Sequence, residues 1–169
     1  MQIEQATLND ARAVAEIHVA TWRDAYEGIV PAEHFATKTV ASREAMWRET
    51  IIKGTPTLYV AKLDAKVVGW VSFGPSREKD ATKFDAEIWA IYVASSCWSK
   101  GLGKALWLKA QSILKENGFQ RICLWVLAEN SRAIKFYHKM GFATTPIADK
   151  EVVMSGKKLK EICLVTEIH

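Results

Sequence analysis

The sequence predicts a mixed α/β fold, in which a central sheet of parallel and antiparallel strands is flanked by helices on both faces. Three observations predict it. Segments with the 3.6-residue period of a helix alternate with short apolar runs that are typical of strands. Their order is one strand, two helices, three strands, a helix, a strand, a helix and two strands, which suits helices layered on a mixed sheet. The strand–helix–strand piece from Glu87 to Leu127 is the expected parallel unit.

The N-terminal part of the chain predicts a strand and two helices. Residues 3–6 are a strand candidate, and Thr7 with Asp10 forms a capping box that starts a helix. This helix is interrupted near Gly28, and a second helix is expected over residues 41–52. The apolar face expected for the first helix comprises Leu8, Ala11, Ala15, Ile17 and Trp22.

The middle of the chain predicts a hairpin and one further strand. Two strands are expected over residues 57–62 and 67–73, joined by a tight turn at residues 63–66. A polar loop follows. Residues 86–93 are dense in β-branched and aromatic side chains, which predicts a strand at the centre of the sheet.

The C-terminal part predicts two helices and three strands. A helix is expected over residues 101–117, with Gly118 in the left-handed position that ends many helices. A buried strand is expected over residues 122–127 and a short helix over residues 131–140, with two more strands within residues 150–168. The expected apolar face of the longer helix comprises Leu102, Ala105, Leu106, Ile113 and Leu114.

Composition is typical of one globular domain. The chain has 169 residues, of which 49% are apolar and 25% charged, so we expect a single domain over residues 1–169. No apolar run reaches the roughly 20 residues that span a bilayer, and the start lacks a signal-peptide pattern. A cytoplasmic protein without a membrane partner is therefore expected.

Metal and nucleic-acid binding are not expected. The three cysteines form no CxxC pair and the four histidines have no metal-binding spacing, so neither a metal site nor a disulfide framework is predicted. The net charge of +4 comes without a basic stripe interleaved with aromatic residues, which argues against nucleic acid.

The most informative segment joins the predicted strand 86–93 to the next helix. It reads Ala94-Ser95-Ser96-Cys97-Trp98-Ser99-Lys100-Gly101-Leu102-Gly103-Lys104. Glycines at such a turn let a ligand approach the backbone, and a helix start presents unpaired N–H groups at the positive end of its dipole. The pattern predicts a phosphate site. It completes neither a dinucleotide fingerprint nor a Walker A loop, and a plain helix start with flexible glycines is the alternative.

Two motifs in this region resemble the GNAT family of N-acetyltransferases. In that family's phosphate loop, Gln or Arg is followed after two residues by Gly and, after one more, by Gly or Ala, and these places hold Trp98, Gly101 and Gly103. The family's second signature resembles a downstream set formed by Asn130, Ala133, Phe136-Tyr137 and Gly141-Phe142. The resemblance implies a GNAT fold and direct acetyl transfer from acetyl-CoA to a primary amine of a small molecule, a peptide N-terminus or a lysine.

The sequence departs from the family pattern at Trp98, where the family usually has Gln or Arg. Because the family loop binds phosphate mostly through backbone N–H groups, we expect phosphate binding to survive. The polar side-chain contact normally made at this place is expected to be missing.

The resemblance also implies which residues bind the substrates. The strand residues before the loop would bind the pantetheine arm through their backbone, and Asn130 would bond that arm or cap its helix. The expected acetyl-CoA ligands are Ile91, Tyr92, Val93, Trp98, Ser99, Lys100, Gly101, Leu102, Gly103, Lys104, Asn130, Ala133 and Tyr137. On the acceptor side we expect Trp22, Tyr26 and Glu87, and no metal ligand.

Two residues are the expected catalytic groups. A thioester is already activated and needs no enzyme nucleophile, so the protein must position both substrates, deprotonate an ammonium and protonate the departing thiolate. By the resemblance, Tyr137 would donate to the CoA sulfur. Glu87 would act as the base, directly or through water, and Asp85 is its rival.

Two other functions stay open. One is an acyl-CoA sensor or binding domain of the same fold without catalysis, and the other is a phosphate-ligand domain whose motifs match by chance. The presence of both Glu87 and Tyr137 beside an intact loop favours the enzyme. The sequence specifies no acceptor, and it leaves a homodimer open.

Overall fold

The computed structural model describes residues 1–147 and 149–168, and these form one mixed sheet of eight strands with helices around it. The strands are β1 (Gln2–Gln5), β2 (Thr57–Leu63), β3 (Lys66–Pro75), β4 (Asp85–Val93), β5 (Arg121–Leu127), β6 (Ala143–Thr144), β7 (Lys150–Met154) and β8 (Lys157–Glu167). The helices are α1 (Ala11–Tyr26), α2 (Glu33–Ala36), α3 (Val40–Lys53), α4 (Leu102–Glu116) and α5 (Ser131–Lys139), with 3-10 turns at Leu8–Asp10 and Ser95–Cys97.

The strands follow the order β1-β2-β3-β4-β5-β8-β6, and β7 pairs with β8 as well. β4 and β5 are parallel, while the other neighbours are antiparallel. The crossover between β4 and β5 passes through α4, as the strand–helix–strand pattern predicts. The predicted mixed sheet is confirmed.

Each face of the sheet carries its own hydrophobic core. On one face α1 and α3 pack on β2 and β3, and this core includes Val14, Trp47 and Trp70. On the other face α4 packs on the strands through Leu106 and Trp107, both of which are almost fully buried. The prediction of helices on both faces is therefore confirmed. No helix in the described ranges is both long and apolar enough to cross a membrane.

The element boundaries agree with expectation where local signals are strong. The β2–β3 hairpin turns through Asp64 and Ala65, which both have positive φ, and Gly118 adopts the expected left-handed conformation after α4. The short elements α2 and β6 were not predicted, because four and two residues are too few to show a period. Leu8 was wrongly expected on the buried face of the first helix. It lies in the 3-10 turn and is 40% exposed.

β4 and β5 pair only at their N-terminal ends, over Asp85–Glu87 and residues 121–123. Beyond this point β5 continues to pair with β8 and β4 with β3. A bulge in β4 follows at once, since Ser72 pairs with Ala90 and Phe73 with Ile88, which leaves Trp89 as the extra residue. The two central strands therefore separate and leave a cleft through the middle of the sheet.

The predicted capping box is present, and it is tied to the sheet. The Asp10 carboxylate accepts hydrogen bonds from the backbone N–H of Thr7 at 2.8 Å and from its hydroxyl at 2.9 Å. The same carboxylate pairs with Lys62 of β2 at 2.8 Å. Burial raises the pKa of Asp10, but the bonds from Lys62 and Thr7 outweigh burial and leave it below 3.8.

We expect Asp10→Asn to lower the free energy of unfolding by about 1–3 kcal/mol at pH 7, the usual contribution of hydrogen bonds to a charged group. Because the pKa of Asp10 is lowered in the folded state, its stabilisation is complete above pH 3.8 and is lost as the pH falls through the folded value. Urea unfolding followed by circular dichroism at pH 7 and pH 3 measures both effects. The exposed turn variant Asp64→Asn is the control, and equal loss in the two variants would contradict the prediction.

Candidate active site

A cavity of ≈ 820 Å³ passes through the cleft between β4 and β5. Its lining includes Ile91 and Val126, which belong to the core under α4, and also Tyr92 and Leu127, which belong to the opposite face. The cavity therefore crosses the sheet. One mouth lies at the start of α4 and the other lies on the face that carries α1.

The mouth at α4 has the features of a phosphate site. Gly101 caps the helix with a φ of 80° and without a side-chain hydrogen bond, so the first N–H groups of this 15-residue helix are not used by a side-chain cap. Ser99, two residues before, also has positive φ. The basic side chains of Lys104, Arg132 and Lys135 line the cavity here. Helix dipole and cations together favour an anion.

Gly101 adopts a positive φ, whereas Gly103 leaves room for the side chain of a neighbouring helix. The φ of Gly103 is not positive, but a Cβ at this position would lie 3.2 Å from Cε2 and 3.3 Å from Cζ of Phe136. Phe136 belongs to α5 and lines the cavity. Gly103 thus lets the Phe136 ring of α5 approach the first turn of α4 at this mouth.

The indole of Trp98, which stands where the resembled pattern has Gln or Arg, makes two contacts of its own. Its Nε1 donates a hydrogen bond of 2.6 Å to the carbonyl oxygen of Val93, the last residue of β4. The guanidinium of Arg132 lies over its ring, with Cζ 3.4 Å from the ring centroid. Trp98 therefore ties the loop to the strand and holds Arg132 at the α4 mouth of the cavity.

Three phenols meet where the cavity crosses the sheet. Tyr26 of α1, Tyr92 of β4 and Tyr137 of α5 all line it, and Asn130 caps α5 beside them by accepting from the N–H of Ala133 at 3.1 Å. Burial is the largest cause that raises the pKa of each phenol. The phenols affect one another's pKa, and all three hold their protons at neutral pH.

The mouth on the α1 face is lined by two indoles and a carboxylate. Trp89 comes from the bulge in β4, Trp125 from β5 and Glu161 from β8. The guanidinium of Arg77 lies 4.1 Å above the ring of Trp89, and the ammonium of Lys150 lies 3.8 Å above the ring of Trp125. Burial raises the pKa of Glu161.

The end of the cavity that Trp89, Trp125 and Glu161 line is called the chamber, and Glu87 lies outside it. Glu87 is 1% exposed, does not line the cavity, and accepts hydrogen bonds from the backbone N–H, Nε and Nη2 of Arg77. Its rival Asp85 is held by Thr82 and by Nε of Arg121, away from the cavity. The catalytic role of either residue stays a prediction.

Most of the expected ligand residues line the one cavity, although this alone does not establish their roles. Trp22, Lys100 and Glu87 do not line it. Trp22 packs behind Tyr26, with ring centroids 5.6 Å apart, and the ammonium of Lys100 bonds to the carbonyl of Ser96. The sequence reasoning missed five lining residues of chemical interest, namely Trp89, Trp125, Arg132, Lys135 and Glu161. Arg132 and Lys135 lie within the second motif, between Asn130 and Phe136, and this place could have predicted that they line the site.

The acetyltransferase (GNAT) family pattern matches residues 13–142 of the chain, which include both motifs and the cleft. The chain belongs to the GNAT family. The prediction of an N-acetyltransferase of this family is thereby confirmed.

Relatives and solved structures agree with this membership. The chain is 30% identical over 163 residues to the uncharacterized N-acetyltransferase YuaI of Bacillus subtilis, an alignment that covers 96% of the chain and 90% of the relative. It is 24% identical to the spermidine N(1)-acetyltransferase of Thermoplasma acidophilum over 93% and 97% of the two chains. In fold it is similar to the PaiA N-acetyltransferase of Thermoplasma acidophilum in complex with coenzyme A, with a TM-score of 0.78, 20% identity and 99% coverage of each chain.

A second solved structure of this fold contains acetyl-CoA. It is yncA, a putative acetyltransferase from Salmonella typhimurium with its cofactor acetyl-CoA, and it matches with a TM-score of 0.76, 23% identity and coverage of 100% and 94%. The expected cytoplasmic location and a homodimer stay predictions.

We expect Gly103→Val to weaken CoA binding about 5-fold to 150-fold, since overpacking costs about 1–3 kcal/mol and here displaces Phe136 from the mouth. Isothermal titration with CoA measures the affinity. Leu108→Val introduces the same β-branched side chain at an exposed place on α4 and is the control for helix stability. If the Gly103→Val protein is folded and binds CoA as the parent does, the phosphates lie elsewhere.

Proposed function

We propose that the protein transfers the acetyl group of acetyl-CoA directly to a primary amine that enters from the α1 face of the sheet. One observation carries the proposal. One cavity joins a candidate anion site at the start of α4 to a chamber lined by Glu161, whose carboxylate has no hydrogen-bond or ion-pair partner within residues 1–147 and 149–168, and the phenol of Tyr137 lines the same cavity. The donor and the acceptor can thus enter through different openings of the cavity and meet inside the sheet.

The donor would enter at α4. Its pyrophosphate would bind the N–H groups of the first turn, with Arg132 and Lys104 neutralising charge. The pantetheine arm would run along residues 90–93 of β4, on the side where β5 has separated. Backbone groups there can bond the amides of the arm as a neighbouring strand would, and they can polarise the thioester carbonyl.

Tyr137 is proposed as the acid that protonates the departing thiolate. Burial and the neighbouring Tyr26 raise the pKa of Tyr137, so the phenol is fully protonated over the working pH range. A proton or hydrogen bond supplied as the C–S bond breaks makes the sulfur a better leaving group. No enzyme nucleophile is needed, since the amine attacks the thioester itself.

The acceptor is proposed only as a class, a primary amine of a small molecule, a peptide N-terminus or a lysine. The two indoles of the chamber favour an ammonium attached to apolar carbon. Spermidine, named for one relative, is a candidate acceptor. Glu87 is proposed to support this chamber by holding Arg77 against Trp89.

The function is tested by thiol release from acetyl-CoA, followed by product mass, with four acceptors: 2-phenylethylamine, spermidine, Ala-Ala-Phe and Nα-acetyl-lysine. Amine-dependent release with a product 42 Da heavier than one of the amines is expected, 42 Da being roughly the mass of an acetyl group less one hydrogen. CoA binding without release for any amine would instead support a sensor, and absence of CoA binding would contradict both functions.

We expect Tyr137→Phe to reduce kcat by up to the ~100-fold to 10,000-fold of one general acid, with little change in acetyl-CoA affinity. The change removes only the hydroxyl. The loss should shrink with an acyl donor whose thiol is more acidic, because a better leaving group needs less help. Steady-state kinetics with both donors measure this. Tyr59→Phe, on β2 and outside the cavity, is the control, and parent turnover in Tyr137→Phe would leave the phenol only a wall of the cavity.

We expect Arg132→Ala to weaken CoA binding about 10-fold or more, the value of a charge-assisted hydrogen bond to phosphate. Affinity should also become less sensitive to salt, since one cation is lost from the mouth. Titrations at two salt concentrations measure both. The exposed α1 variant Arg12→Ala should bind CoA as the parent does.

A further inference from the structure

We infer that Glu161 of β8 is the group that binds the acceptor ammonium and removes its proton. This inference rests on the proposed function and deepens it. It moves the base from β4 to the opposite wall of the chamber, and four observations carry it.

The first observation is position. In the antiparallel register Glu161 lies opposite Leu127, and Cys163 lies opposite Trp125. Directly opposite residues share a face of the sheet, so Glu161 projects to the same side as Trp125 and Leu127, the side of the acceptor mouth. It lines the cavity, whereas Glu87 and Asp85 do not.

The second observation is that the Glu161 carboxylate is free to receive an ammonium. Within residues 1–147 and 149–168 it takes part in neither a hydrogen bond nor an ion pair of its side chain. The two cations that lower its pKa have other partners: Arg77 is bonded to Glu87, and Lys150 to Glu78. Glu78 also accepts from Nε1 of Trp125 at 2.9 Å. The other carboxylates of this face are therefore occupied.

The third observation is the balance of charge around the chamber. The charged groups that act on the pKa of Glu161 are Arg77 from the β3–β4 loop, Lys150 from β7 and Glu87 from β4, and Glu78 is bonded to Lys150. Two cations against three carboxylates leave one negative charge, and it sits on Glu161. A chamber with a net single negative charge and two indole walls attracts one ammonium.

The fourth observation connects Glu161 to the reaction centre. The charge of Glu161 contributes to the pKa of Tyr26, and Tyr26 in turn contributes to that of Tyr137. All three groups line the same cavity. Burial also raises the pKa of Glu161 above its usual 4.5, while Lys150 and Arg77 lower it and Glu87 raises it. The raised pKa makes this carboxylate a stronger base than an exposed glutamate.

The proton balance closes without a further reactant. Glu161 takes one proton from the ammonium, and the neutral nitrogen forms a bond to the thioester carbon. In the tetrahedral intermediate the nitrogen still carries one proton more than it has in the product amide. When the C–S bond breaks, the sulfur takes a proton from Tyr137, which is restored by that nitrogen. The products are the amide and free CoA thiol, and Glu161 releases its proton to solvent.

The pH dependence distinguishes a base from a mere contact. In the parent, kcat/KM should rise as Glu161 ionises, through a pKa above 4.5, and then stay level to the pKa of the amine, which is about 10 for an alkylamine and about 8 for a peptide N-terminus. In Glu161→Gln only amine that has already lost its proton can react. Its kcat/KM should therefore increase about tenfold per pH unit up to the pKa of the amine, and at pH 7 lie about 100-fold to 10,000-fold below the parent.

The experiment compares the parent, Glu161→Gln, Glu161→Asp, Glu87→Gln and the control Glu151→Gln, in which the exposed Glu151 carboxylate that pairs with Lys158 is replaced. Rates are measured from pH 5.5 to 9.5 with whichever of the four amines above the parent acetylates fastest. Calorimetry checks that each variant binds CoA. We expect the altered profile in Glu161→Gln alone, and partial recovery at neutral pH in Glu161→Asp.

Each other outcome has a definite meaning. If Glu161→Gln keeps the parent profile, whether at the parent rate or uniformly slower, Glu161 is not the base, although the proposed function stands. If Glu87→Gln alone acquires the steep profile while it still binds CoA, the base is on β4. If the parent releases no thiol with any of the four amines, the proposed function fails first, and the inference fails with it.

Discussion

The separation of β4 from β5 is the constraint on which the site depends. Two parallel strands at the centre of a sheet would ordinarily pair along their full length, yet these pair only over Asp85–Glu87. The bulge at Trp89 follows directly, and β5 is held by β8 instead. The separation leaves backbone groups of β4 without a neighbouring strand, and it opens a passage between the two cores. A donor arm that supplies backbone-like amides can occupy the gap, so acetyl-CoA binding and strand pairing satisfy the same groups.

Such a gap weakens the sheet, and the surrounding side chains stabilise its edges. On the donor side Trp98 bonds to the carbonyl of Val93, and Gly103 lets Phe136 press against α4. Behind Tyr92 lies His18, which stacks on that phenol at 5.4 Å and accepts from Nε1 of Trp47 at 3.1 Å. Burial, with Arg43 and Lys38, lowers the pKa of His18 to about 4, so this cluster stays uncharged at neutral pH. A neutral aromatic support holds β4 in place without adding charge to the reaction centre.

The parts of the fold and site that the sequence predicts are those whose cause is local. The phosphate mouth depends on Gly101 and on the start of one helix, and the place of Tyr137 depends on a nine-residue helix capped by Asn130. Glu161 could not be found in this way. Its position opposite Leu127 is set by the register of β5 and β8, which are joined through α5 and two other strands. Glu87 was likewise predicted from its place on the strand, and nothing in the sequence revealed that Arg77, ten residues away, bonds to its carboxylate.

Two carboxylates on one face of a sheet can have different tasks only if their surroundings differ. Glu87 is buried, and both of its carboxylate oxygens already accept hydrogen bonds from Arg77. Within residues 1–147 and 149–168 the Glu161 side chain has no such bond, and burial raises its pKa. An ammonium therefore finds an available carboxylate at Glu161 and not at Glu87. Loss of charge on the acceptor favours product release, because acetylation turns the ammonium into a neutral amide and removes its attraction to the carboxylate. In the proposed mechanism Glu161 then returns its proton through the open mouth and regains the charge that attracts the next ammonium.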